Sequence, residues 1–514
     1  MIDDNRDEFN AELSEDLDDG TKHHSKNLYR GGPDHNVAPD KVNTSNWFEK
    51  VSDETAEALK DPNSVASLAK NQTSWFCTIP FNQIYVEIDG QYQACCFGAP
   101  SGVHFEDVSL KDWMINSKYM NDLRTEMLDP NSDLKAVERH CKRCRDDERR
   151  YGRSRRTNCM KIHTNSHDHW DGVARTAELY RASGGEFDID ERIFELQLKI
   201  WGSNCNLDCH MCMHANSTTR INSGFKHDVW QDAIFGKKEN QEQYIKNVLK
   251  DRVKSTNAID QCVELAPWTR SIKLIGGEPL IMKKQYEMLD RIIETGHSKE
   301  IIIKYQTNLT KMGTGKHRFI DYIPHFKKIH MVASVDGIGP VNDYMRRKSS
   351  WEEIEDNIDI LQKYDNVYVD FNGLVSFLSV MRFWQVPDYV KANTDKVFAV
   401  NWAMLELPVH LRVNNLPQPI KDKLIPIYEE KGWPDIVAAL KLPPEPDVNI
   451  QDVFQYLLKQ DRFYEGTKWE MHLFEVFPEL EEYYVPRNTA THEQEIKFAL
   501  WDKQLEDFTA EDIT

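Results

Sequence analysis

The sequence predicts an α/β protein whose centre, residues 190–410, is a partial (β/α)6 TIM-like barrel. Three observations predict it. Phe194, Leu196, Leu198 and Ile200 alternate with Glu195, Gln197 and Lys199, the period of a strand with one buried face. Further apolar strands follow, separated by amphipathic helices or short helical turns. The loops after the first two strands carry Cys205, Cys209 and Cys212, then Gly276-Gly277-Glu278-Pro279. In parallel β/α arrays, ligand sites lie at the carboxyl ends of the strands.

The elements follow in order. Residues 1–70 read as a polar N-terminal region. Its first 20 residues hold nine Asp or Glu and one Arg, a solvated tail, and one helix is expected near Asp53–Lys60. Residues 71–165 form a cysteine-bearing segment. Strand Gln83–Ile88 turns at Asp89-Gly90 into Gln91–Cys95, and a helix over Ser109–Met127 places Leu110, Trp113, Tyr119 and Leu123 at apolar positions. In the core, strand Ser271–Ile275 precedes helix Gln285–Thr295, which Gly296 stops. Strand Glu300–Gln306, a short helix near Ile320 and strand Ile329–Val335 come next. Helix Trp351–Tyr364 opens on a capping box of Ser350 and Glu353. Strands Val367–Ser376 and Val397–Leu405 flank a helix around Trp384–Ala392. Residues 411–514 read as a helical, acidic C-terminal extension, broken at Pro443-Pro444 and Pro446, with no motif.

A net charge of -20 opposes general nucleic-acid binding. No apolar run reaches the length of a membrane span, and no secretory h-region stands at the N-terminus. The expectation is a cytoplasmic, reducing setting. Nine of the ten cysteines fall between Cys77 and Cys212, which suits ligation better than disulfides.

The spacing of Cys205, Cys209 and Cys212 is C-x3-C-x2-C. Three soft thiolates suit an iron–sulfur cluster, and a four-iron cluster on three cysteines keeps one iron open for chemistry. The competing reading is zinc, with His210 or His214 as fourth ligand, in a non-catalytic binding protein. After the second core strand, Gly276 and Gly277 permit close backbone approach, and the Glu278 carboxylate suits an ammonium group.

Together these motifs make the stretch from Leu196 to about Leu407 resemble the radical S-adenosylmethionine superfamily. The resemblance implies a [4Fe–4S] cluster on the triad whose open iron chelates S-adenosylmethionine. It implies contact of Gly276, Gly277, Glu278 and Pro279 with the cofactor's amino group. Reductive cleavage then gives a 5′-deoxyadenosyl radical that abstracts hydrogen from the substrate. Ser334 and Asp336, in Ser334-Val335-Asp336-Gly337, and Arg346 match positions near the cofactor, with Arg347 an equally available donor. Thr307-Asn308 ends the third strand as in many members. Met211 stands where an aromatic residue is usual, and the fifth strand offers Ser376 and Ser379 in place of an Asn. Catalytic residues beyond the cofactor sites are not assigned.

Cys77, Cys95, Cys141 and Cys144 fit a zinc ribbon by spacing alone. With Asp89-Gly90, Trp113, Leu123-Arg124 and the basic run Arg149–Arg156, they also resemble the SPASM/Twitch module, which implies one auxiliary [4Fe–4S] cluster. Cys96 and Cys159 are further available thiols. The module usually follows the barrel, and here it precedes it. Lys142–Arg156 carries eight Lys or Arg against three acids and reads as a solvated helix face. Cys262 reads as packed and inert. The resemblance implies a flavodoxin- or ferredoxin-like electron donor and oxidation of a peptide, protein or small molecule. Charge and hydropathy point away from nucleic acid and membranes.

Overall fold

The computed structural model describes residue 44 and residues 47–152, 154–189, 191–227, 257–394 and 397–486. The first tail and the last residues of the extension lie outside them. Twelve strands are described. They are β1 (Gln83–Val86), β2 (Tyr92–Gln93), β3 (Phe194–Leu198), β4 (Asp208–Cys209), β5 (Thr269–Leu274) and β6 (Ile302–Thr307), then β7 (Gly313–Thr314), β8 (His317–Arg318), β9 (Lys328–Ser334), β10 (Arg346–Arg347), β11 (Val367–Val375) and β12 (Val397–Met404). The six expected core strands form a parallel array in chain order, β3-β5-β6-β9-β11-β12. Six does not complete the sheet. β1 adds in parallel beside β3, with Ile84 opposite Leu196, and β2 closes the hairpin, giving eight strands. The cysteine-bearing segment is thus stitched into the core sheet.

The sheet has two unlike faces. On β6, β9 and β11 every second residue is buried, including Tyr305, Met331 and Phe371. These pack under helices such as Lys283–Glu294, whose Tyr286, Met288, Leu289 and Ile292 are buried. The alternate set, including Lys304, Gln306, His330, Ser334, Asp370 and Asn372, lies on the inner face and stays partly accessible. That alternation is the two-residue period expected of a barrel strand.

Local chemistry explains the departures from the sequence reading. The helix expected over Ser109–Met127 is two, Leu110–Asn116 and Lys118–Leu128, because extended Ser117 accepts from Met120 N and starts a second one. The Ser350 cap accepts from Glu353 N, but Glu353 pairs with Lys311 and leaves the box half made. Gly296, at φ 79°, follows helix Lys283–Glu294 as the left-handed stop. Residues 142–156 are not one helical face. Lys142–Tyr151 ends at left-handed Gly152, and helix Arg155–Thr164 begins after the Ser154 capping box. The basic run is largely spent on ion pairs: Lys142 with Asp146, Arg143 with Glu406, Arg145 and Arg149 with Glu138, and Arg156 with Glu148. No described helix is long and apolar enough to cross a membrane.

Candidate radical site at the strand ends

The cysteine triad sits in the loop that leaves β3, and three neighbours shape that loop. From below, Gly276 and Gly277 press against it. An added Cβ on Gly277 would stand 2.3 Å from Asn204 O, and one on Gly276 2.8 Å from Gly202 O. Gly276 also takes φ 137°, so glycine is required twice over. Glu278 N donates to Asn204 O at 2.7 Å. The glycine pair therefore brings two backbone loops together.

From the side, β4 pairs with β10, Cys209 opposite Arg346, and His210 N donates to Met345 O. From the helix that follows, Thr219 Oγ1 donates to Cys205 O at 2.7 Å, while Cys205 N donates to Thr218 Oγ1 at 3.3 Å. Leu207 N donates to Cys205 Sγ at 3.5 Å. Burial pushes the thiols of Cys205, Cys209 and Cys212 up to about 12. The neighbouring Arg346 pulls against that shift at Cys209 and Cys212.

Glu278 is buried, and Leu280 N and Thr307 Oγ1 donate to its Oε1 at 3.0 and 2.8 Å, Asn308 N to its Oε2 at 2.7 Å. A carboxylate has about four acceptor positions, so three are filled and room for one donor remains. Asn308 Nδ2 in turn donates to Asn206 Oδ1 at 3.0 Å. The ends of β5 and β6 and the cysteine loop thus form one hydrogen-bonded unit.

Asp336 and Arg346 form an ion pair, Nε to Oδ2 at 2.9 Å, and Asp336 Oδ1 also accepts from Leu374 N. Ser334 Oγ accepts from Gln306 Nε2 at 3.2 Å. Arg347 turns away into the C-terminal extension. It pairs with Asp461 and donates to Met471 O at 3.1 Å. The hydroxyls of Ser376 and Ser379 bond to each other, and Ser379 Oγ donates to Leu374 O. Met211 is buried beside the triad loop.

Residues 200–376 match the family model of the radical SAM superfamily. The chain carries a radical SAM domain. No curated protein matches it. Among solved structures it is similar to Streptococcus suis SuiB bound to S-adenosylmethionine, at 11% identity and TM-score 0.29, over 53% of this chain and 54% of that one. For SuiB bound to precursor peptide SuiA the values are 13% and 0.27, over 62% and 56%. The chain spans little more than half the length of these structures, and likenesses this low carry no argument.

The donor set of the radical SAM domain is three thiols, the soft ligands that iron–sulfur clusters take once ionised. His210, one proposed fourth zinc ligand, stacks on Tyr344 with ring centroids 4.9 Å apart.

Upstream of the radical SAM domain, Cys77, Cys95, Cys141 and Cys144 line a single cavity with Trp75, Arg155 and Arg156. Phe97 N donates to Cys95 Sγ at 3.4 Å. Cys96 and Cys159 do not line the cavity, although both are electrostatic neighbours of Arg155. Cys262 is fully buried in helix Asn257–Leu265.

Two features had no sequence signal that was read. Helix Ile450–Tyr464 grips the cysteine loop: Tyr456 OH donates to His210 O, Gln460 Nε2 to Asp208 O, and Tyr464 OH to Asp208 Oδ2, all within 2.8 Å. On the inner face, His163, His169 and Glu195 gather ligand-type atoms within 4.8 Å. Thr78 and Asn82 hold the two imidazoles at 2.7 Å, and Lys304 holds Glu195. The pair His163 and His169, six residues apart beside a cysteine, was the available signal.

Proposed function

We propose that this chain is a radical S-adenosylmethionine enzyme with a catalytic [4Fe–4S] cluster on Cys205, Cys209 and Cys212. The observation that carries the reading is the union of the triad loop with Gly276-Gly277-Glu278 at the carboxyl ends of β3 and β5. When bound, the cluster and S-adenosylmethionine supply an electron and a 5′-deoxyadenosyl radical for hydrogen abstraction. The protein's own residues hold and shield. Glu278, kept in place by Leu280, Thr307 and Asn308, has one acceptor position left for an ammonium donor. Arg346 and Asp336 set opposite charges beside Cys209. Ser334 and Met211 complete the cofactor set.

A second [4Fe–4S] cluster on Cys77, Cys95, Cys141 and Cys144, in a Twitch-like module, suits a two-electron oxidation. It would take the electron that hydrogen abstraction leaves behind. The substrate class is a peptide, protein or small molecule, and a flavodoxin- or ferredoxin-like protein serves as donor.

Anaerobic reconstitution tests the reading. About eight irons per chain, four for each cluster, and release of 5′-deoxyadenosine from S-adenosylmethionine on reduction are expected. The C205A/C209A/C212A variant should keep only the iron of the Cys77 side. Stoichiometric zinc without cleavage would overturn the enzyme reading in favour of a metal-binding protein.

A further inference from the structure

Outside the radical site, one group of side chains has metal-ligand chemistry that the proposed function does not use. His163 comes from helix Arg155–Thr164, His169 from helix His167–Ala182, and Glu195 is the second residue of β3. One ligand-type atom from each lies within 4.8 Å of the other two. Both histidines are buried, with ring centroids 4.4 Å apart. His163 Nε2 stands 3.8 Å from Glu195 Oε2. That gap is too long for a hydrogen bond. It suits two donors on one ion, which at bonds of about 2.0–2.2 Å stand about 3–4 Å apart.

A surrounding layer of polar groups fixes all three. Thr78 Oγ1 meets His163 Nδ1 at 2.7 Å, so Nε2 is the nitrogen with no hydrogen bond among the described residues. Asn82 Nδ2 meets His169 Nε2 at 2.7 Å, which leaves Nδ1. Ser271 Oγ and Lys304 Nζ donate to Glu195 Oε1 at 3.0 and 2.7 Å, and Oε2 is left to the side of His163. Histidines that bind metals are held in this way, with the second ring nitrogen taken by a polar neighbour. Two imidazoles and one carboxylate suit zinc or ferrous iron, whereas calcium and magnesium take oxygen ligands.

We infer that His163, His169 and Glu195 bind one divalent transition-metal ion of the zinc class. The cysteine triad leaves the opposite end of β3, so this ion takes no part in forming the radical. It joins two upstream helices to the first core strand. Three protein donors leave at least one coordination position for water.

Zinc content of the full-length protein, reconstituted with iron and then dialysed against buffered zinc, tests this. The parent holds one zinc more per chain than His163→Gln, His169→Gln or Glu195→Gln, with the same iron in all four. Thr78→Val keeps the three ligands but releases the His163 ring, and it weakens zinc about 10-fold or more. Saturating zinc raises the Tm of the parent and not of the ligand variants, because the ion binds only the folded chain. Should a histidine variant not fold, Glu195→Gln and Thr78→Val decide. Equal zinc in the parent and the ligand variants overturns the inference. Zinc at the cysteines would sink the enzyme reading, yet it stays in every variant and leaves the difference at this site intact.

Discussion

Glu278 is a buried carboxyl group at the carboxyl end of β5, directly against the cysteine loop. Its place after two glycines marked it as a cofactor contact. Only the folded chain reveals that Leu280, Thr307 and Asn308 already donate to it. Burial lifts its carboxyl from 4.5 to about 7 despite those donors. The folded state then binds a proton that the unfolded state has released between about pH 4.5 and 7. Stability from this group is present below that window and falls as pH rises through it, by about 3 kcal/mol at most. Glu278→Gln cannot titrate. The Tm of the parent relative to this variant, both free of metal, should drop steadily between pH 5 and 7.5. A flat difference would show that the carboxylate is ionised throughout. The triad stands out in the sequence because its three cysteines fall within a span of eight residues. The group of His163, His169 and Glu195 does not, because it forms only when the chain folds back onto β3.

At the scale of elements, most core strands and helices were readable from their periods, with ends moved by a residue or two. The C-terminal extension was not, although its contribution is concrete. Tyr456, Gln460 and Tyr464 recur every four residues on helix Ile450–Tyr464, one face of the helix. That face reaches across about 250 positions of sequence to Asp208 and His210. Arg220 ties the same knot, pairing with Asp208 and bonding to Tyr456. A spacing of four on a polar-looking helix carries no label for such a partner. Each buried group left without its donor costs about 1–3 kcal/mol. Supporting contacts of this kind typically change metal affinity 10- to 100-fold. The Tyr456→Phe, Gln460→Leu, Tyr464→Phe combination should release triad iron to a chelator at least ~10-fold faster. Iron held by the Cys77 side should leave at the parental rate. Equal rates at the triad would mean that the helix packs there without supporting the ligands.

For the whole molecule, the decisive contact is the parallel pairing of β1 with β3. All four residues of β1 are buried, and Ile84, Val86, Leu196 and Leu198 lie in one apolar cluster that runs from Trp47 to Leu480. A boundary drawn near residue 190 by composition therefore cuts through a sheet. A fragment of residues 186–486 would present the β3 edge and its apolar face to water, the situation that leads sheets to pair with other chains. It would also lose Thr78 and Asn82 from the imidazoles, along with His163, His169 and Arg155 themselves. A fragment of residues 44–486 keeps every one of these contacts. The longer fragment should melt in one cooperative transition as a soluble species. The shorter should aggregate or melt without a transition, as judged by circular dichroism and size-exclusion chromatography. A cooperative, monomeric 186–486 would show instead that the core closes its own edge and that the cysteine-bearing segment is an independent unit. The first outcome makes the two cysteine sites parts of one folding unit, with the distance between them fixed by the sheet they share.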